Sequence, residues 1–458
     1  MSKETLINKI SDALFENRGV IFVGSGISAP STKTNWFELL KPHEEDLDIV
    51  IDAEHDDLPV IAQYIVNEHT GNRGPLINTI SKVFNKNLVL NNYHKALSTT
   101  KVSTIWTTNY DTLLERAFSD FSLDVKINDD AISRRVINFD VEILKIHGCI
   151  SGSHHNEIII TQEDYEDFLD KKPAISHRLC NDLLKNSFIF IGYSYRDPNI
   201  KNIMITARRL AKRSTQEHYL IITKPKDIDK NAVALKEKER RLELWCKDLK
   251  RLGISTLLID DYKELESILF AISQKSRGKT VYVTGSHEQV KQIAYSLGAL
   301  LSKEKEITLL SGQSSGIGSN VVSAFTEQCI NDKQDINNRL QIFPNPYAAN
   351  PSFSNNPELL PELKKGRAKL MNATQAVIFF NGGMGTEAEL EVAKDRNCKI
   401  IPVILSKDES QSKLFKKIVD DSLIMDYLKE IDQEYYEKLM SGSVLAEDIL
   451  SCVKKMLA

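Results

Sequence analysis

The stretch TTNYDTLLERAF, Thr107 to Phe118, decides how this chain is read. It begins as the end of a buried strand and finishes as an amphipathic helix, with Asn109 and Asp111 between the two. In open α/β sheets ligands bind at the carboxyl ends of strands, so small polar groups placed there are candidate ligand contacts. An amide and a carboxylate this close together can recognise a carboxamide, which carries both donors and an acceptor. On these residues alone the plainer expectation is that Asn109 caps a helix starting at Asp111.

Working outward, an apolar strand Val20 to Val23 runs into the glycine-containing turn GSGIS, and further β-rich runs follow: VSTIWTTN, VEILKIHG, SFIFIGYS, HYLIITK and ISTLLID. Helical stretches such as LPVIAQYIVNEH and ALKEKERRLELWCKDLKRL separate them, and Leu6, Ile7, Ile10 and Leu14 mark an amphipathic first helix. Continuous apolar strands alternating with helices indicate a mostly parallel sheet covered on both faces. A second series, TVYVTGS, ITLLSGQ, RLQIFPN, QAVIFFNGG and KIIPVIL, begins after the polar segment QKSRGK. The expected fold is therefore α/β, two Rossmann-like parallel-sheet domains covering 1–275 and 276–458. The stretch PNPYAANPSFSNNPELLPE reads as a long loop, suited to covering a ligand.

Composition narrows the class. The 458 residues exceed one ordinary core, and 41% hydrophobic with 27% charged residues is a soluble balance. A formal net charge of −4 argues against a general binder of nucleic acid or membrane surfaces. MSKETLINKI lacks a signal-peptide pattern and no apolar run is long enough for a bilayer, so a cytoplasmic location is expected. The six cysteines lie far apart without a CxxC pair, which suggests neither a disulfide framework nor a zinc ribbon, and no metal is expected.

Four stretches of the first half place glycine or polar residues after a strand. Gly24, Ser25, Gly26 and Ser28 lie in GSGIS, whose turn can present amides to a phosphate. Asn109 and Asp111 follow in TNYD, His147 in HG, and Gly192 and Ser194 in GYS, with Asp197 just beyond as ordinary turn chemistry. Taken in order, the four resemble the signature of the SIR2 (sirtuin) family over roughly residues 1–275. The resemblance implies that Gly24, Ser25 and Gly26 cradle the pyrophosphate of NAD+ and that Asn109 lies by the nicotinamide ribose, with Ser28 a further cofactor-binding candidate that equally reads as a turn or cap residue. It further implies that Asp111 contacts the carboxamide, His147 faces the ribose hydroxyls, and Gly192 with Ser194 lines the adenosine side. The paired CxxC motifs and the GIPDFR-like stretch of protein-deacylating sirtuins are absent, and SAPSTKTNWFELL stands in place of the latter. What remains suits NAD+ glycohydrolysis with Asn109 and His147 as the catalytic pair, NAD+ being the substrate. A protein deacylase or ADP-ribosyltransferase, and a non-enzymatic NAD and nucleotide sensor, stay open as alternatives.

The second half carries TGSH, SGQSSGIG, GRAKLM and NGGMGTEAE. Paired glycines after a strand, with Thr386 opening a helix, make an anion site, and Arg367 can pair bidentately with a phosphate. On their own, Arg367 reads as a surface residue, and Glu387 and Glu389 as helix-capping, solvent-facing acids. NGGMGTEAE resembles the PGGxGTxxE motif of the SLOG nucleotide-binding superfamily, with Asn381 in place of its proline. That resemblance implies a nucleotide sensor, with a phosphoribohydrolase using Glu389 as the rival.

A SIR2-like unit followed by a SLOG unit resembles the ThsA family, effectors of Thoeris antiphage defence. The resemblance implies NAD+ consumption switched on by a cyclic ADP-ribose isomer made by a TIR-domain partner (ThsB), in a homo-oligomer, tetramer or larger. The expected activator site is Gly285, Ser286, Gly312, Arg367, Gly382, Gly383, Gly385, Thr386 and Glu389.

Overall fold

A computed structural model describes residues 2–458 apart from 53–54, 85, 152–156, 196, 212–215, 227–231, 286–290, 314–315, 345–357 and 406–411. The chain divides into two compact units, Met1–Ser276 and Arg277–Ala458. Among the described residues no helix is long and apolar enough to cross a membrane.

The first unit is built on seven strands, β1 (Gly19–Val23), β2 (Thr104–Thr107), β3 (Leu123–Lys126), β4 (Val141–Lys145), β5 (Ser187–Ile191), β6 (His218–Thr223) and β7 (Ile254–Ile259). Their order is β3-β4-β2-β1-β5-β6-β7 and every pairing is parallel. Successive strand residues face opposite ways, so each apolar run feeds two cores. Ile21, Val23, Ile105, Ile143, Ile189 and Ile191 enter one layer. Val20, Phe22, Trp106, Leu144, Phe188 and Phe190 enter the other. The strand β3 has no counterpart in the apolar runs picked out above. It is a short edge strand whose Asp124 and Lys126 pair with each other at 2.9 Å, which masks its alternation.

A helical module made of Trp36–Leu40, Leu58–Glu68 and Gly74–Phe84 has its own apolar cluster, including Leu39, Leu40, Ile61, Ile65, Leu76 and Ile80. The cluster takes in Tyr110, between Asn109 and Asp111, so the module packs directly onto the carboxyl end of β2.

The second unit has strands β8 (Thr280–Thr284), β9 (Thr308–Ser311), β10 (Leu340–Ile342), β11 (Ala376–Phe379) and β12 (Lys399–Pro402), parallel in the order β10-β9-β8-β11-β12. A buried arginine organises one of its corners. Arg339 donates to the carbonyls of Ser302 (2.7 Å), Glu304 (2.7 Å) and Ile307 (3.2 Å) just where the helix Lys291–Lys303 ends. The last carbonyls of a helix have no partner within it, and the five guanidinium donors supply one. Arg339→Met should therefore leave buried acceptors unsatisfied and cost about 3 kcal/mol, read as a lower urea midpoint for the transition of the second unit. An unchanged midpoint would mean that these carbonyls find other partners.

Candidate active site

The ends of β4, β2, β1 and β5 are neighbours in the sheet and carry, in that order, His147, Asn109, Gly24 and Gly192. The structure thus gathers the four motif stretches along one edge, beside the point where successive strands depart to opposite sides of β1. Two loops meet there at backbone contact. The Gly24 amide donates to the Ile191 carbonyl and the Gly26 amide to the Gly192 carbonyl, both at 2.9 Å. A Cβ on Gly24 would lie 2.4 Å from the Gly192 oxygen, and Gly192 itself has φ of +62°. Two expectations change as a result. GSGIS is not an open turn, because Ser25 already begins the helix Ser25–Thr32. The amides of Gly24 and Gly26 are taken by the end of β5 and its loop, which leaves the helix N-terminus at exposed Ser25 as the feature suited to an anion.

Asn109 is 6% exposed and does not cap a helix. The helix that follows is Leu113–Ala117, two residues later than expected, and its first amide, Leu113 N, is received by Asp111 Oδ1 at 2.9 Å. The Asn109 amide nitrogen instead donates across the sheet edge to the Gly24 carbonyl (3.2 Å) and to Ser28 Oγ (3.1 Å). This fixes the side-chain plane and leaves Asn109 Oδ1 buried with no partner among the described residues. A buried acceptor without a donor is costly unless a ligand supplies one.

His147 Nε2 stands 2.8 Å from Asp197 Oδ2, both side chains being about 5% exposed (5% and 6%). The two atoms are close but not aligned as a formed hydrogen bond, and neither has another partner among the described residues. Such catalytic contacts often tighten only when substrate is bound. Asp197 was read from the sequence as turn chemistry, and one of its oxygens does that work. Its Oδ1 accepts from Asn199 N (2.8 Å) and Ile200 N (3.1 Å), capping the helix Pro198–Ala211, while Oδ2 faces the imidazole. Burial favours the neutral acid, but His147 and the two amides together outweigh it and hold the Asp197 carboxyl below its ordinary range. Edge-on contacts with Tyr165 (5.5 Å) and Phe168 (6.4 Å) fix the ring of His147. Ser194 is exposed at the same rim, between the buried rings of Tyr193 and Tyr195.

Two more buried groups went unnoticed in the sequence. Lys145, at the end of β4, is 1% exposed, donates to the Asp111 carbonyl and pairs with Glu115 at 2.8 Å, which ties the TNYD loop to β4. His94, in the helix Asn92–Ser98, is fully buried and both its ring nitrogens lack partners among the described residues. The residue before that helix, Asn91, donates to the Ile27 carbonyl at 2.8 Å, so His94 sits in the element that flanks the Ser25–Thr32 helix. Burial lowers its pKa to about 4, against a smaller opposing pull from Asp111. Because this folded value is depressed, the stabilisation is complete above the unfolded-state value near 6.5 and is lost as pH falls towards 4. His94→Gln should remove roughly 3 kcal/mol of acid destabilisation across that window, seen as a flatter dependence of the first unit's unfolding midpoint on pH. An unaltered pH dependence would assign the acid sensitivity elsewhere.

The second unit gathers a comparable set at the ends of β8, β9 and β11. Gly285 (φ +144°) lies against Phe380, Gly312 against the Tyr282 hydroxyl, and Gly382 against Thr386, whose Oγ1 would be 2.2 Å from a Cβ there. The helix begins at Met384 with Gly383 as its cap, so Thr386 is its third residue and not its opener. Gly383 and Gly385 are exposed at that N-terminus. Glu389 is not solvent-facing. It accepts from the Tyr282 hydroxyl (3.1 Å) and from Thr284 Oγ1, and burial raises its carboxyl pKa although these bonds and Arg367 pull the other way. Arg367 lies partly buried on the helix Leu360–Ala373. Glu387 does not cap the helix; it pairs with Lys413 and Lys417, both at 3.1 Å. Ser286 and most of the Pro344–Glu362 stretch lie outside the described residues.

Comparison with known proteins finds two families in this order. Residues 103–245 match a SIR2-like domain family and residues 264–458 match a Sir2- and TIR-associating SLOG family. A protein of Acinetobacter baumannii named NAD(+) hydrolase ThsA is 30% identical over 449 residues, 92% of this chain and 91% of that protein. One of the same name from Bacillus cereus is 28% identical over 422 residues, 87% and 86% of the two chains. Defense-associated sirtuin 2 of Bacillus subtilis is 24% identical over 237 residues, 49% of this chain and 22% of that protein. With its two parallel-sheet units in this order and identity of that level along nearly its whole length, the chain belongs to the ThsA family.

Proposed function

We propose that the chain is an NAD+ glycohydrolase that releases nicotinamide, leaves ADP-ribose and acts as an antiphage defence effector. The observation that carries this reading is the buried Asn109 Oδ1, without a partner at a sheet edge whose neighbouring strand end holds the His147–Asp197 pair. The names of the relatives, NAD(+) hydrolases, support the substrate.

The chemistry follows from where charge develops. The bond from the ribose anomeric carbon to the pyridinium nitrogen breaks, its electron pair goes to the ring, and neutral nicotinamide leaves. Positive charge builds on the ribose, and a site that excludes bulk water and presents one oriented molecule accelerates its capture. Asn109 Oδ1 accepts from a ribose hydroxyl or from the attacking water, while Ser28 and Gly24 keep the amide in plane. His147 takes the proton that water loses, on the ring nitrogen turned away from Asp197, and Asp197 steadies the resulting imidazolium. Asp111 meets the carboxamide; Gly24, Ser25, Gly26 and Ser28 lie along the pyrophosphate, and Gly192 with Ser194 along the adenosine side.

The first unit is the catalytic one and the second the sensor. A cyclic ADP-ribose isomer, supplied by a TIR-domain partner, binds at Gly285, Ser286, Gly312, Arg367, Gly382, Gly383, Gly385, Thr386 and Glu389. It activates only by binding the active arrangement of a homo-oligomer better than the resting one. A second backbone-lined helix N-terminus, at Gly383, supports an anionic ligand there.

Nicotinamide release by the purified full chain, with and without cyclic ADP-ribose isomers, tests the reading. Asn109→Ala and His147→Ala should each cost on the order of 10²-fold or more in kcat, and Arg367→Ala should lose stimulation by the isomer. Stimulation intact in Arg367→Ala would move the sensor site. No nicotinamide under any condition would sink the assignment.

The same assay separates the two oxygens of Asp197. Asp197→Ser keeps a helix-capping acceptor but removes the group facing His147, so kcat should drop roughly 10²-fold while the unfolding midpoint holds. Asp197→Asn, which removes the charge that steadies the imidazolium, should lower kcat as well. Unchanged kcat in both variants would leave Asp197 with the helix cap alone.

A further inference from the structure

The helical module beside β2 contains three side chains that no step above uses. His43 ends the short 3-10 turn Lys41–His43, Asp46 lies in the helix Glu44–Leu47, and His69 follows the helix Leu58–Glu68. One ligand atom from each falls within 4.8 Å of the others. His43 Nδ1 is 3.1 Å and His69 Nε2 is 3.5 Å from the same Asp46 oxygen, Oδ2.

The hydrogen bonds around His43 say what its ring can offer. Thr79 Oγ1 lies 2.9 Å from His43 Nε2 and 3.2 Å from the Pro75 carbonyl, so it holds the ring by one nitrogen. With Nε2 held by Thr79, His43 Nδ1 is turned towards the Asp46 carboxylate. His69 Nε2 is likewise buried and has no hydrogen-bond partner among the described residues. Two imidazole nitrogens thus converge on one carboxylate oxygen, an arrangement that offers a cation three ligand atoms. An outer hydrogen bond that fixes a ligating ring, as Thr79 fixes His43, is the usual company of a metal-bound histidine.

Two of the separations bear on which cation fits. Zinc bonds to nitrogen and oxygen of 2.0–2.1 Å in a tetrahedron require ligand atoms roughly 3.3 Å apart, and the 3.1 and 3.5 Å separations bracket that edge. We propose that His43, Asp46 and His69 form a binding site for a divalent transition-metal ion of the zinc type, with a fourth position open to solvent. Nitrogen and carboxylate ligands in this number suit zinc better than magnesium or calcium, which take oxygen ligands. Asp46 is 45% exposed, which gives the ion a route in. The site joins three separate elements of the module that packs on Tyr110, so an ion there staples the cover over the Asn109 loop. The absence of CxxC pairs did not speak to this arrangement, because its ligands are imidazoles and a carboxylate brought together by helix packing.

Untagged full-length protein, stripped with chelator and titrated with Co2+, gives the test. One Co2+ per chain should bind with the visible d–d absorption of four-coordinate cobalt, Zn2+ should displace it, and Zn2+ should raise the thermal midpoint of the first unit. His69→Gln should lose the band and weaken binding at least tenfold, and Asp46→Asn likewise, each with the wild-type midpoint in chelator. His177→Gln, an exposed histidine elsewhere in the unit, should titrate as wild type. Absence of the cobalt band, or the same titration in wild type and His69→Gln, would overturn the proposal and leave an imidazolium–carboxylate cluster. None of these readouts depends on NAD+ turnover, so the outcome is independent of the catalytic assignment.

Discussion

The structure of the first unit depends on a backbone contact that admits no side chain. Gly24 and Gly192, at the ends of two adjacent parallel strands, touch so closely that a Cβ on either would collide with main-chain atoms of the other loop. That contact sets the spacing of the β1 and β5 ends, and the Gly24 carbonyl then serves as the anchor for the Asn109 amide. Three loops are registered by one approach. An enzyme that must hold a flexible dinucleotide gains most from rigid positioning, and this edge supplies it without any side chain that could adopt another rotamer.

Around that anchor the protein buries polar groups it would otherwise avoid. Asn109, Asp111, Lys145 and His147 are each nearly inaccessible, and His94 is wholly so. Most of their bonds are spent on geometry: Lys145 on the Asp111 carbonyl and Glu115, Asp197 on the helix cap, Asn109 on Gly24 and Ser28. What is left over is small and specific, an amide oxygen and a poorly aligned imidazole–carboxylate contact. Buried polar groups left incomplete in this way are expected where a ligand completes them. The second unit repeats the logic with Glu389, which is bonded to Tyr282 and Thr284 and stands beside an exposed glycine-rich helix start.

Much of this was legible in the residues. Strands such as Gly19–Val23, Ser187–Ile191 and Ala376–Phe379 are near-continuous apolar runs, as parallel strands buried on both faces are. The edge strand Leu123–Lys126 was not, because two of its four residues are charges, buried only by pairing with each other. The helix after TTNYD was placed too early because Asp111, not Asn109, supplies the capping oxygen, and both residue types favour caps equally. Asp197 was hidden by its other role, since Asp-Pro-Asn before a helix reads as a cap whichever way the second oxygen points. His94, Lys145 and the His43–Asp46–His69 group carry no sequence signal. Their significance lies in what packs around them, and that appears only when the helices and strands are assembled.

The central claim, that this crevice transfers the ADP-ribosyl group of NAD+ to water, is tested most directly by running the reaction in heavy-oxygen water and weighing the product. The account predicts ADP-ribose carrying one solvent oxygen, formed in step with nicotinamide and abolished in Asn109→Ala. Nicotinamide release without labelled ADP-ribose, or with the ADP-ribosyl group found on protein, would contradict it.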